Sequence, residues 1–379
     1  MYYFPFNFCG VVMKYIKINC LANYKTLIIE FMGNTEIKTD PVHTGLTIND
    51  FKLHKIIGSG GFSEVWKATY RKTNKDFAIK EMHKSRIVRK NCVNSVLNEL
   101  QLLSILKHPF IVNIQYAFQD RSNLYLVMDL MPGGDLRHFL GNKSLSEIQT
   151  QFIISCILIG LEYLHINGVV HKDLKPENLV FDNKGFLRIT DFGIAFKVGK
   201  FNDSDGSGTP GYMSPESMFH RKQKPVSDYF ALGVIAFECM LGKIPYCGKS
   251  KKEIKDKIFS KQVQLKKKDV PQGWSLESVD FINKLLQRNP EERLGRNGIH
   301  EIKNHSWVSN VQWKKMLEKR VDSPCKFSNS ENTPNIAIEV RRTDLDFDLE
   351  YVQKYFYGYK YIGNESFGMN STIMKKIYN

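Results

Sequence analysis

"GVVHKDLKPENLVF", residues 168–181, sets two lysines, an aspartate, a glutamate and an asparagine between two apolar ends. Val169 and Val170 lead into the stretch, and Leu179, Val180 and Phe181 lead out of it. The pattern predicts a polar loop pinned between two buried elements, and a polar loop on rigid supports is a common place for catalysis. Asp173 can take a proton, Lys175 can hold a phosphate and the amide of Asn178 can hold a metal ion.

The chain around this loop has 379 residues, enough for two or three lobes with substantial cores. Its 42% hydrophobic and 25% charged residues are ordinary for a globular protein. No run reaches about 18 apolar residues, so no membrane span is expected. Seven cysteines, at 9, 20, 92, 156, 239, 247 and 325, include no C-x-x-C pair. They read as reduced, intracellular thiols rather than a disulfide framework or a zinc site, and the expected location is cytoplasmic. The formal charge of +15 admits a nucleic-acid, membrane or anionic small-molecule partner, but the charge is spread along the chain. The densest run, "GKSKKEIKDKIFSKQVQLKKK" (248–268), mixes lysines with apolar residues at helical spacing and reads as a solvated helix face.

Residues 1–47 form an extension whose first stretch, "MYYFPFNFCGVVMKYIKINC", lacks the basic start and clean apolar core of a signal peptide. Met32, opening "MGNTEIKT", is a natural second start. It would make Gly33 a candidate for myristoylation, although that motif wants Ser or Thr where Ile37 stands. From residue 51 the texture changes. "FKLHKIIGSGGFSEVWKATY" alternates around a glycine-rich turn, as a hairpin does, and "KDFAIKEM" is a further short strand. "SVLNELQLLSIL" has helical spacing, "NLYLVMDLM" reads as a buried strand, and "PGGDL" breaks it. Helices then dominate: "EIQTQFIISCILIGLEYLH", "SDYFALGVIAFECMLG" and "SVDFINKLLQ". A strand-rich part (51–130) followed by a helix-rich part (131–308) predicts two lobes with a seam near Met131–Gly134. The tail, 309–379, is mixed in texture and is expected to lie over the surface.

Four motifs follow one another in order. In "GSGGFSEV", Gly58, Ser59, Gly60, Gly61, Phe62, Ser63, Glu64 and Val65, glycines would let a polyphosphate approach the backbone without a clash. Lys80, ending "FAIK", is flanked by apolar strand residues and needs an anionic partner, which Glu99 on the next helix can supply. The third motif is the opening loop. The fourth is "ITDFG", with Asp191. Asp191 and the amide of Asn178 are two oxygen donors that suit magnesium, which prefers a few protein ligands plus phosphate oxygens. Asp173 would orient a hydroxyl and accept its proton late, and Lys175 would neutralise a phosphoryl group in transfer, chemistry that rests on positioning and charge.

These motifs together resemble the eukaryotic protein kinases, over residues 51–308. The resemblance implies an α+β bilobal fold, a small β-rich lobe with one main helix above a larger helical lobe. It also implies ATP and Mg2+ as cofactors and protein substrates with Ser or Thr acceptors, with no nucleic acid. "DLKPEN" is similar to the serine/threonine form of the catalytic loop, and "LKHPFIV", "MPGGDL", "GTPGYMSPE" and "RLGRNGIHEIKNHSWV" are similar to the AGC group. By the same matching, Val65, Ala78 and Val180 would sandwich the adenine, Met128 would guard the back of the pocket, and Asp129 and Met131 would offer backbone hydrogen bonds. Ile57 and Asp135 join the nucleotide contacts, and Thr209 the substrate contacts. Asp228 would brace the catalytic loop, His171 is a further structural position, and Glu216 with Arg293 would form a buried ion pair. "FYGYKY" (356–361) resembles the hydrophobic motif that docks on the small lobe in that group, with Phe356 and Tyr359 as anchors and Lys360 in place of a phosphorylated residue.

Departures from the pattern carry information. Lys172 stands where an arginine commonly clamps a phosphate on the activation loop, and lysine cannot copy that two-pronged bond. The usual phosphorylation position falls at Asp205, so a Lys172–Asp205 attraction is expected to replace part of that switch, with Ser204 and Ser207 as rival phosphosites. Ser63 for the third glycine and Ser214 for the alanine before Pro215 are mild changes. Asp135, Glu177 and Glu238 match acidic positions that hold arginines upstream of the acceptor, which predicts basophilic substrates. The rival readings are a pseudokinase or scaffold, and a nucleic-acid-binding module supported only by the net charge.

Overall fold

The computed structural model describes residues 45–141, 143–198, 207–219, 223–327 and 349–363. Met32, Gly33, Ile37, Ser204 and Asp205 lie outside the described residues. Residues from Thr47 onward make up one unit.

The alternating pattern from residue 51 becomes an antiparallel sheet. Its first five strands are β1 (Phe51–Ser59), β2 (Ser63–Tyr70), β3 (Lys75–His83), β4 (Ile114–Gln119) and β5 (Asn123–Asp129). The turn between β1 and β2 is closed by Gly60, whose N–H donates to Ser63 O at 2.7 Å. A Cβ on Gly60 would lie 2.9 Å from Ser63 Oγ, so a larger residue there would require the Ser63 hydroxyl to rotate away. Between β3 and β4 run a short helix α1 (Lys84–Arg89) and the lobe's main helix α2 (Val93–Ile105). Val96, Glu99, Leu102 and Leu103 recur at helical spacing and form the buried face of α2. Glu99 is a carboxylate within an otherwise apolar stripe, and such a group needs a cation nearby.

The large lobe is built on α3 (Leu136–Leu140), α4 (Glu147–Ile166), the two-stranded sheets β6 (Val169–Val170) with β9 (Phe196–Lys197) and β7 (Leu179–Phe181) with β8 (Leu187–Ile189), then α5 (Pro215–Met218) and α6 (Val226–Leu241). Helix α4 starts at a capping box made by Ser146 and Gln149. It is long and apolar enough to cross a bilayer by length and composition, but most of it is buried inside the lobe. Helix α6 ends at Gly242, whose φ of 68° is the left-handed conformation that stops helices. Helices α7 (Lys251–Ser260), α8 (Leu276–Leu285) and α9 (Ile299–Lys303) complete the lobe. In α7, the centre of the lysine-rich run, Ile258 is buried while Lys251, Lys252 and Lys257 face solvent.

The tail does more than cover the surface. Helix α10 (Trp313–Leu317) buries Met316 and Leu317, and Phe327 packs against Phe139 and Phe181. Farther on, α11 (Leu349–Gln353) leads to β10 (Tyr361–Ile362), which pairs antiparallel with β4 and makes the sheet order β1-β2-β3-β5-β4-β10. Val352, Phe356 and Tyr359 are buried. Gln119 Nε2 donates to Phe356 O at 2.8 Å, and the buried Lys84 ammonium donates to Asp120 O and Gln353 Oε1, both at 2.5 Å. Burial pulls Lys84 down to about 8.

Candidate active site

Strand β3 carries Lys80 opposite Val65 of β2 and Leu126 of β5. Its ammonium donates to both oxygens of Glu99, each at 2.8 Å. Burial alone would lower Lys80, but Glu99 and then Asp191 outweigh it, so Lys80 is held above its ordinary value. Burial pushes Glu99 up while Lys80 opposes it. The two-oxygen geometry favours the ionised pair. Helix α2, which supplies Glu99, is tied to the segment after Asp191: Ser95 Oγ donates to Gly193 O at 2.6 Å, and Asn98 Nδ2 to Ala195 O at 2.7 Å. No spacing in the sequence marked Ser95 or Asn98.

The polar loop forms as expected between β6 and β7. Asp173 gathers four donors. Thr209 gives its N–H at 3.0 Å and its hydroxyl at 2.7 Å to Oδ1, while Lys175 Nζ at 2.7 Å and Asn178 Nδ2 at 3.2 Å go to Oδ2. Lys175 Nζ also reaches Thr209 Oγ1 at 2.9 Å. Burial would raise Asp173, but the bonds from Lys175 and Thr209 prevail and hold it below the usual carboxylate range. Because Asn178 spends its amide nitrogen on Asp173 O and Oδ2, its carbonyl oxygen is the donor left to a cation.

Beneath the loop lies Asp228. It accepts from His171 N and Lys172 N, both at 3.0 Å, and from His165 Nε2 at 2.8 Å. These bonds overcome burial and keep it ionised. They also hold Lys172 at a φ of 70°, a left-handed conformation uncommon for a side-chain-bearing residue. Asp173 N–H donates to His171 Nδ1 at 3.3 Å, so Nε2 carries the ring proton and donates to Thr190 O at 3.1 Å. Asp191 follows Thr190, with a φ of 64° and an exposed side chain. The Lys172 ammonium lies 5.5 Å from the centre of the Phe196 ring. Glu216 and Arg293 form a fully buried fork, Nη1 to Oε1 at 2.7 Å and Nη2 to Oε2 at 2.9 Å. Ser227 and the carbonyls of Val226 and Gln287 satisfy what remains.

The nucleotide candidates take up consistent places. Ala78 lies opposite Met128 in the β3–β5 register, and Val180 forms an isolated bridge with Asp135, just past the seam. Gly58, Ser59, Gly60, Gly61, Phe62, Ser63 and Glu64 span the β1–β2 turn, after the half-buried Ile57. The N–H of Asp129 donates to Asn113 O, so a base could draw on Asp129 only through its carbonyl. The Asp129 carboxylate is braced by Gln115 and Arg188, a role the sequence did not suggest. Met131 is half-buried at the seam. Of the substrate candidates, Asp135 caps α3 by accepting from His138 N at 2.7 Å, whereas Glu177 and Glu238 are brought together by a residue not anticipated, Arg137.

A family model described as "Protein kinase domain" matches residues 51–308. A probable serine/threonine-protein kinase of Dictyostelium discoideum is 35% identical over 295 residues, covering 77% of this chain and 64% of the relative. Serine/threonine-protein kinase sgk-1 of Caenorhabditis elegans is 34% identical, over 83% of this chain and 67% of the relative. Serine/threonine-protein kinase YPK1 of Saccharomyces cerevisiae is 34% identical, over 85% of this chain and 48% of the relative. The match thus spans from about half to two thirds of these relatives' lengths. With that likeness running through both lobes, the chain belongs to the protein kinase family, in its serine/threonine, AGC-like branch.

Proposed function

We propose that this chain transfers the terminal phosphoryl group of Mg-ATP to serine or threonine of protein substrates. The observation that carries the reading is the Asp173 carboxylate, held ionised by Lys175, Asn178 and Thr209. An acceptor hydroxyl placed there would be oriented by Asp173 and would give up its proton to it late in the transfer. Lys175, which touches both Asp173 and Thr209, would offset charge on the group in motion. Lys80, fixed by Glu99, would hold phosphate oxygens, and the side-chain-free Gly60 and Gly61 would let the backbone lie close to them.

The donor set fits magnesium. Among the described residues no three His, Cys, Asp or Glu gather into a metal-binding cluster. Asp191 and the Asn178 carbonyl would supply two oxygens, and phosphate oxygens and water the rest, as magnesium prefers. When bound, the ion would neutralise phosphate charge. On the substrate side, an upstream basic residue is favoured to the extent that the nearby carboxylates are open: the Glu177 side chain is 45% exposed, the Glu238 side chain 7%.

Purified protein, incubated with Mg-ATP and a serine peptide library, should phosphorylate peptides, and Asp173→Ala should abolish this. Transfer that persists in Asp173→Ala, or nucleotide binding without any transfer by the wild type, would refute the proposal and favour a pseudokinase.

A further inference from the structure

Two acids that could receive an arginine from the substrate already hold one from the chain itself. Arg137 lies on α3, two residues beyond the Asp135 cap. Its Nε donates to Glu177 Oε1 at 2.9 Å, Nη1 to Glu238 Oε1 at 2.6 Å, and Nη2 to Glu238 Oε2 at 3.4 Å and Tyr212 OH at 2.5 Å. Tyr212 in turn donates to Glu238 Oε2 at 2.6 Å. All three guanidinium nitrogens are therefore engaged, and the buried Glu238 carboxylate receives three donors.

The cluster lies beside the acceptor site. Tyr212 N–H donates to Thr209 O at 2.9 Å, and Thr209 closes on Asp173. Glu177 is the neighbour of Asn178 in the catalytic loop. Glu177 and Glu238 together carry two negative charges, and Arg137 cancels one of them. A peptide guanidinium arriving there would have to break a fork of charge-assisted bonds, the strong kind, before making its own. Its gain over a neutral side chain would then be small.

We propose that Arg137 is a specificity-determining residue, a resident occupant of the acidic subsite that removes most of the benefit of an arginine upstream of the acceptor. The inference rests on the kinase reading and deepens it: the acceptor proteins of this chain need carry no upstream arginine. Without Arg137 the same carboxylates would select for one.

The test compares serine peptides that differ only by a single arginine or alanine placed two to five residues before the acceptor. For each protein the measured quantity is the largest ratio of kcat/KM, arginine over alanine. The wild type is expected below about threefold. Arg137→Ala, and Arg137→Gln as a variant that keeps a hydrogen bond to the buried Glu238, are expected to raise the ratio at least tenfold, equal to about 1.4 kcal/mol. Ratios in both folded variants that stay within fivefold of the wild type would overturn the proposal. If neither variant folds, the wild-type ratio decides: below threefold supports the inference, and a larger value overturns it. Absence of transfer to any peptide would sink the kinase reading itself, whereas efficient transfer with strong arginine dependence would sink only this inference.

Discussion

The catalytic loop and the Lys80–Glu99 pair both place charged groups at the cleft, but they are supported differently. Asp173 and its donors rest on a buried frame belonging to one lobe: Asp228 gathers the backbone of residues 171 and 172, and Glu216–Arg293 fixes the segment that carries Thr209. Glu99 rides on a helix held by side-chain bonds to residues 193 and 195 and packed in a lobe whose sheet ends on the tail strand. Deep, mutually satisfied polar groups make the frame beneath the first site, rather than Asp173 itself, part of folding. Contacts between separate segments make the second adjustable.

The sharpest way to break this contrast is Asp173→Asn, which keeps size but removes the charge. Its kcat should fall by about 10³-fold, in the range of a lost general base, while the thermal midpoint moves little; a large loss of midpoint would show that the site is not separable from the fold. Arg293→Ala leaves the buried Glu216 carboxylate without its cation, so stability measured in urea should drop by about 3–5 kcal/mol. Asn98→Ala should do the reverse, lowering kcat about tenfold while costing only about 1 kcal/mol for its bond to Ala195 O. Equal destabilisation by Asn98→Ala and Arg293→Ala would end the distinction.

The most gradual effect, spread over a range of pH, concerns Lys84 under the tail. Its folded value of about 8 lies below the ordinary lysine value of 10.5, so between these the unfolded chain binds more protons. The penalty is full below pH 8 and fades as pH rises. Relative to Lys84→Met, the wild type should therefore gain stability from pH 8 to 10, by at most about 1.4 kcal/mol per pH unit. A difference constant across that range would contradict the burial argument.

Local signals carried much of this. The period-2 alternation around Gly60 and Gly61 gave the hairpin, and the apolar flanks of the 168–181 stretch gave a loop between two buried elements, which the structure shows to be the short strands β6 and β7. The partners of Lys80, Asp228 and Glu216 could be matched because the resemblance fixed their order along the chain. Arg137, Asn98, Ser95 and His165 were not legible. Each acts through a neighbour distant in sequence: Arg137 meets Glu238 across 101 positions, and Asn98 meets Ala195 across 97. No local spacing encodes such a meeting. Arg137 also directly follows the "MPGGDL" motif, read for its glycines and its aspartate, where an arginine looks like one more surface charge. The tail strand was missed as a strand because two residues are too few to show alternation.

That strand has a consequence for how the protein behaves as a material. Without β10, β4 would become the outer strand of the sheet, offering open N–H and C=O groups to any neighbouring molecule. Trimming the carboxy-terminal segment would then do more than loosen the small lobe: it would uncover an adhesive border, and such shortened protein should self-associate at concentrations where the full chain stays dispersed.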